Sequence, residues 1–143
     1  MTHQAPNPVG LYEPFVTSGS IVALSAISSA ENGELVTGKV GRDLDLAAAR
    51  TAAERAARNL LAVLRDSVGG DLSRVRQLLT VRGYVNAAED FHFVHKVIDA
   101  ASAILVAELG VNGRHARTAI GCAALPNGNA VTLEAIAVVA AER

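Results

Sequence analysis

The stretch HARTAIGCAALPNGNAVTLEAIAVV, residues 115–139, decides the fold. It holds two runs of β-branched and small residues, Ala116 to Leu125 and Ala130 to Val139, separated by Pro126-Asn-Gly-Asn129. Pro presets its own φ, while Asn and Gly tolerate positive φ, so the spacing predicts a tight reversal and a closing β-hairpin. With Leu125 opposite Ala130, an odd position on the first strand shares its face with an even one on the second. Arg117, Thr132 and Glu134 then lie on one face. Small neighbours at Ala119, Gly121 and Ala123 leave the guanidinium open to a planar carboxylate, which it can grip with two parallel hydrogen bonds. A structural ion pair between Arg117 and Glu134 across a subunit or domain contact is the competing reading.

Outward from this stretch the chain alternates strand and helix signals. Phe15 to Ser29 has strand composition, with Thr17-Ser-Gly-Ser20 as a hairpin turn leading into Ile21 to Ile27. From Leu46 to Arg65 the apolar positions Leu46, Ala49, Ala53, Ala56, Leu60 and Leu64 recur with helical period. Asp43 and Asp45 are placed to cap that helix, and Gly69-Gly70 to end it. Arg74 to Val85 alternates, with Val75, Leu79, Val81 and Val85 facing inward and Arg74, Arg76 and Arg82 outward. A second amphipathic helix opens at Glu89 or Asp90 and stops at Gly110. The order ββ, α, β, α, ββ predicts an α+β protein, a mixed sheet covered on one face by two helices, in a single domain spanning 1–143.

Composition narrows the function. The 143 residues carry 13 basic and 14 acidic side chains, a formal charge of −1. That offers no surplus to neutralise phosphates, so no nucleic-acid partner is expected. Cys122 is the one cysteine and the four histidines lack ligand spacing, so no disulfide and no metal are expected. No leader pattern and no long apolar run stand in the sequence, so a cytoplasmic protein with no membrane partner is expected.

Residues 115–139 also resemble the C-terminal signature of the Rid family, the reactive intermediate deaminases, also called YjgF-like or endoribonuclease L-PSP proteins. In that signature an Arg is followed eight and nine residues later by Leu-Pro and then by an acidic-apolar strand; Arg117, Leu125 and Pro126 match it. VGLYEPFV, residues 9–16, is similar to the family's entry segment and puts Tyr12 at its tyrosine. GYVNAAEDF and VHKVIDAASAILVAELG look like a divergent branch. The resemblance implies a chorismate-mutase-like fold and a homotrimer with three clefts between subunits. It implies that Arg117 grips a substrate carboxylate, that Tyr12 and Ser25 line the cleft, and that the backbone amide of Ala119 helps polarise the substrate. The implied activity is hydrolysis of an enamine or imine to a carbonyl compound and ammonia, with no cofactor and no metal.

Two departures stand out. The resemblance puts a water-positioning glutamate at Thr132, whose hydroxyl is a poor base near neutral pH. Glu134, two residues on and on the same face, is the candidate substitute. The family's Ser-Gly-Gln is replaced by Leu24-Ser25-Ala26, which removes polar groups from the expected cleft wall. Competing functions are therefore a repurposed enzyme catalysing a cyclisation or dehydration, and a non-catalytic ligand-binding trimer. Cys122 reads as a packed residue on the face opposite Arg117, His92 and His95 as a weak pair without a third ligand, and Lys96 with Asp99 as a surface ion pair. His115 fits a cleft rim or a solvated loop equally.

Overall fold

A computed structural model describes residues 3–141. The strands are β1 (Phe15–Ser18), β2 (Ile21–Ser28), β3 (Val75–Asn86), β4 (Ala116–Cys122) and β5 (Val131–Val139), and the helices are α1 (Leu46–Ser67) and α2 (Val94–Leu109). One five-stranded sheet runs in the order β1-β2-β5-β3-β4. Both helices lie on one of its faces, α1 against β2 and β5, α2 against β3 and β4. The expected α+β class and helix layer are thus found.

The closing hairpin is not. β5 inserts between β2 and β3, antiparallel to both, so both of its hydrogen-bonding edges are taken. β4 instead joins the far side of β3 in parallel, as the edge strand. Pro126–Gly128 does turn, as a short 3₁₀ segment with Asn127 and Gly128 at φ of 57° and 70°. It carries the chain across the sheet end and does not fold it back on its neighbour.

The N-terminal hairpin forms as read, with Ser18 opposite Ile21 and Gly19 at φ 59°. α1 also keeps its expected start: Asp45 Oδ1 accepts from the Ala48 amide at 2.8 Å, satisfying one of the free donors of the first turn. α2 begins at Val94, about a turn later than Glu89 or Asp90, and has no side-chain cap. On β3 the inward set is Val75, Leu78, Val81 and Val85, while Leu79 is exposed. Irregular pairing between Val75 and Gln77 and between Leu78 and Thr80 resets the alternation, as a bulge does.

The core lies between sheet and helices. Ala49, Ala52, Ala53, Ala56 and Ala57 are fully buried on α1, their size allowing close approach to the sheet and to α2. Gly83 of β3 shows how tight this layer is: a Cβ there would lie 2.5 Å from Ile98 Cδ1 on α2, and Ile98 is itself fully buried. Gly83→Ala should cost about 1 to 3 kcal/mol of stability through overpacking, read as a lower midpoint in urea unfolding. The other sheet face carries no helix, leaving Val16, Ile21 and Ile120 exposed by 59%, 41% and 43%.

Candidate functional site

The polar residues of the uncovered face gather on β3 and β5. Tyr84 pairs with Thr132 and Arg82 with Glu134, so all four side chains point away from the helices. The Tyr84 phenol donates to Glu134 Oε1, which lies 3.7 Å from Arg82 Nη1. That hydrogen bond, aided by desolvation, raises the Tyr84 pKa above its ordinary value, so the phenol remains a donor to the carboxylate. Glu134 is thereby held in place by a neutral donor and a half-exposed cation.

Thr132 is held from the opposite direction. Asn129, 2% exposed, donates from Nδ2 to Thr132 Oγ1 at 2.8 Å and to the Val131 carbonyl at 2.6 Å. Its Oδ1 accepts from the buried Ser29 hydroxyl at 3.1 Å. The Thr132 oxygen therefore accepts from below, leaving its own proton for a ligand. Asn129→Ala should lower stability by roughly 1 to 3 kcal/mol, because Ser29 is left buried without its acceptor. Thermal unfolding checks this.

These residues open into a fissure of about 1450 Å³ beside the N-terminal arm. Tyr12 and Ser25 line it, together with Thr132 and Glu134. Ser25 Oγ donates to the Glu13 carbonyl at 2.5 Å, and Tyr12 Oη accepts from the Val9 amide at 3.4 Å. The arm is fastened to α1, since His3 Nε2 lies 2.6 Å from Oδ1 of the buried Asn59, whose amide donates to Ser28 and Ala30 carbonyls. Leu24 is 4% exposed in the core, so its change from a polar residue does not alter the fissure wall.

Arg117 lies elsewhere. Val81 pairs with both Arg117 and Ala135, which places Arg117 on the helix-covered face, opposite Thr132 and Glu134. The expected common face fails because it rested on the hairpin register. Arg117 Nη1 donates to Asp99 Oδ1 at 2.7 Å and to Ser102 Oγ at 3.3 Å, both on α2. Within the chain Arg117 and Glu134 take other partners, Asp99 and Arg82, and the Lys96–Asp99 pair does not form: Lys96 Nζ stands 4.9 Å over the Phe93 ring. Ala119, next but one along β4, packs on the core while its strand keeps a free edge.

Cys122 is half-buried on the face opposite Arg117, as its parity predicted, in register with Asn86. No group of three or more His, Cys, Asp or Glu suited to a metal occurs among the described residues. No helix of the described residues is long and apolar enough to cross a membrane. Tyr84 and Asn129 escaped the sequence reading. Tyr84 carried a signal, since it shares parity with Arg82, but Asn129 looked like an ordinary turn residue.

Comparison with known proteins agrees with this architecture. Residues 3–139 match the model of the "YjgF/chorismate_mutase-like, putative endoribonuclease" family. Protein TCP17 of Trypanosoma cruzi is 31% identical over 134 residues, covering 92% of this chain and 83% of that one. The crystal structure of Atu1372 from Agrobacterium tumefaciens, a protein of unknown function, superposes with a TM-score of 0.90 at 40% identity, covering 94% of this chain and 86% of that one. RidA from the Antarctic bacterium Psychrobacter sp. PAMC 21119 gives a TM-score of 0.65 at 27% identity over 94% of both chains. With nearly its whole length matched by the family model and its fold shared with solved relatives, the chain belongs to the YjgF/RidA family.

Proposed function

We propose that the protein hydrolyses a small imine or enamine bearing a carboxylate, releasing ammonia and the carbonyl compound, at a cleft completed by a second copy of the chain. The observation that carries this reading is the separation of the two halves of the site. The fissure beside Thr132 and Glu134 has no Lys or Arg among its described lining residues, while Arg117 sits on the opposite face, on the edge strand β4. Arg82 on this face is paired with Glu134 at 3.7 Å, so a carboxylate anchored in that fissure needs a further cation, from a neighbour. The uncovered sheet face with Val16, Ile21 and Ile120 supplies a surface for one, at roughly 25 cal/mol per Å² of apolar area removed from water. A closed trimer of this kind presents three equivalent clefts.

In the cleft, Arg117 of one subunit holds the carboxylate and Tyr12 and Ser25 of the next border the reacting carbon. Water adds to the C=N carbon as Glu134 takes one of its protons and passes it to the nitrogen, giving a neutral carbinolamine, with the Thr132 O–H orienting the water oxygen. The carbinolamine C–OH then gives up its proton through Glu134 to the nitrogen as the C–N bond breaks, so that the nitrogen, now carrying both water protons, leaves as ammonia and the C–OH becomes C=O. Water is consumed and ammonia produced, with no change of oxidation state.

The test uses freshly generated 2-iminopropionate, following pyruvate and ammonia. Acceleration over buffer is expected from wild type. Arg117→Ala and Glu134→Gln are each expected to be slow, yet subunits mixed after denaturation and refolded together should regain activity, since about a quarter of the sites in a random mixture combine an intact Arg117 with an intact Glu134. No acceleration by wild type, or a stable monomer in sedimentation at micromolar concentration, overturns the reading.

A further inference from the structure

Arg117 has five N–H donors, and the contacts on α2 occupy three of them. Both Nη1 protons are taken, by Asp99 Oδ1 at 2.7 Å and Ser102 Oγ at 3.3 Å, and one Nη2 proton points to the His95 carbonyl at 3.4 Å. The Nε–H and one Nη2–H have no acceptor among the described residues. Two donors on one planar group are what a two-pronged bond to a carboxylate requires.

The Ser102 contact is itself directed. His115 Nδ1 lies 2.6 Å from the Gly113 carbonyl, which only accepts, so Nδ1 carries the proton. In the neutral imidazole this makes Nε2 an acceptor. Ser102 Oγ, 2.9 Å away, must donate to it, which turns the hydroxyl lone pairs toward Arg117. One ordered chain of hydrogen bonds thus runs from Arg117 through Ser102 and His115 to the backbone at Gly113. Gly113 is buried and closely packed, as a Cβ there would lie 2.6 Å from the Leu105 carbonyl oxygen.

We infer that His115 is a positioning residue for anion binding: by turning the Ser102 hydroxyl it holds Nη1 of Arg117 on α2 and leaves the Nε and Nη2 donors aimed outward at the carboxylate. This rests on the proposed carboxylate-binding role of Arg117. It gives the histidine beside the family's arginine a task that neither a solvated loop nor a metal site would supply. Asp99, an exposed carboxylate, and the long 3.4 Å contact to the His95 carbonyl leave the guanidinium freer to swing than it is with Ser102 in place.

Calorimetric titration of the full chain with pyruvate, and with pyruvamide as the neutral control, separates the possibilities. His115→Gln places an amide oxygen near the position of Nε2 and should bind pyruvate within about twofold of wild type. His115→Asn, which keeps only a group near Nδ1, and Ser102→Ala should each bind it about tenfold more weakly, the loss of one hydrogen bond to a charged group. Pyruvamide affinity should be the same in all four proteins. If His115→Asn and Ser102→Ala bind pyruvate like wild type while Arg117→Ala loses it, the positioning role is wrong and the carboxylate grip stands. Equal losses for pyruvate and pyruvamide mean a merely structural role and overturn the inference. If Arg117→Ala costs nothing, or wild type does not prefer pyruvate to pyruvamide, the carboxylate reading itself falls, and the positioning role with it.

Discussion

Arg117→Ala should slow turnover of a carboxylate-bearing imine by about 2 to 4 kcal/mol in kcat/KM, the loss of a charged, two-pronged hydrogen bond. Arg117→Lys should recover only part of this. An ammonium on a flexible stem can reach Asp99 but cannot hold the α2 contacts and a bidentate carboxylate together, as the planar group can. The effect should be carried by carboxylate substrates and vanish for an imine that lacks the acid. Folding should suffer little, because the ion pair with Asp99 is half exposed and such pairs contribute under about 1 kcal/mol. Steady-state kinetics of the two variants on both substrate types, with thermal unfolding alongside, checks each part. Equal kinetics in all three proteins would remove Arg117 from the site.

The placement of Arg117 shows which part of the molecule was legible in the sequence. Local signals held: the 3.6-residue stripe of alanines and leucines gave α1, Asp45 gave its cap, and Gly19 marked the first hairpin. These depend on neighbours within a few residues, where propensity and capping act. The strand order depends instead on which edges are free. β5 takes both of its partners from elements more than 40 positions earlier in the chain, and no turn composition at Pro126-Asn-Gly-Asn129 encodes that. A turn of this kind suits a crossing connection as well as a hairpin. One wrong pairing moved Arg117 to the other face, because side-chain direction alternates with every residue and the parity rule inverts between the assumed antiparallel register and the observed path through β3. Leu79 failed for a related reason, as a bulge shifts parity without leaving a mark in the apolar pattern. The resemblance to the Rid family, by contrast, named the candidate residues without any register. Its implied cleft between subunits is consistent with a chain whose cation and carboxylate occupy opposite faces.

Glu134→Gln should lower kcat by roughly 10² to 10⁴ while leaving the fold intact, because the amide oxygen can still accept from Tyr84 but the group no longer takes a proton. KM should change little if the carboxylate end of the substrate is held by Arg117 of another subunit. Thr132→Val removes the orienting hydroxyl and should cost less than Glu134→Gln, since a misdirected water can still meet an intact base. It also leaves the Asn129 amide without one acceptor, so a small drop in stability accompanies it. Thr132→Glu separates a weakened water-activating site from one rebuilt for other chemistry. The new carboxylate keeps an acceptor for Asn129 and stands two residues from Glu134 on the same face, beside the fissure. In a hydrolase this second carboxylate should raise kcat on 2-iminopropionate as a further water-activating group. In a site rebuilt for cyclisation or dehydration it should only depress the native reaction. A wild-type enzyme already fast on 2-iminopropionate and indifferent to Glu134→Gln would take the base role away from Glu134 and leave Thr132 and its Asn129 support as the groups that handle water.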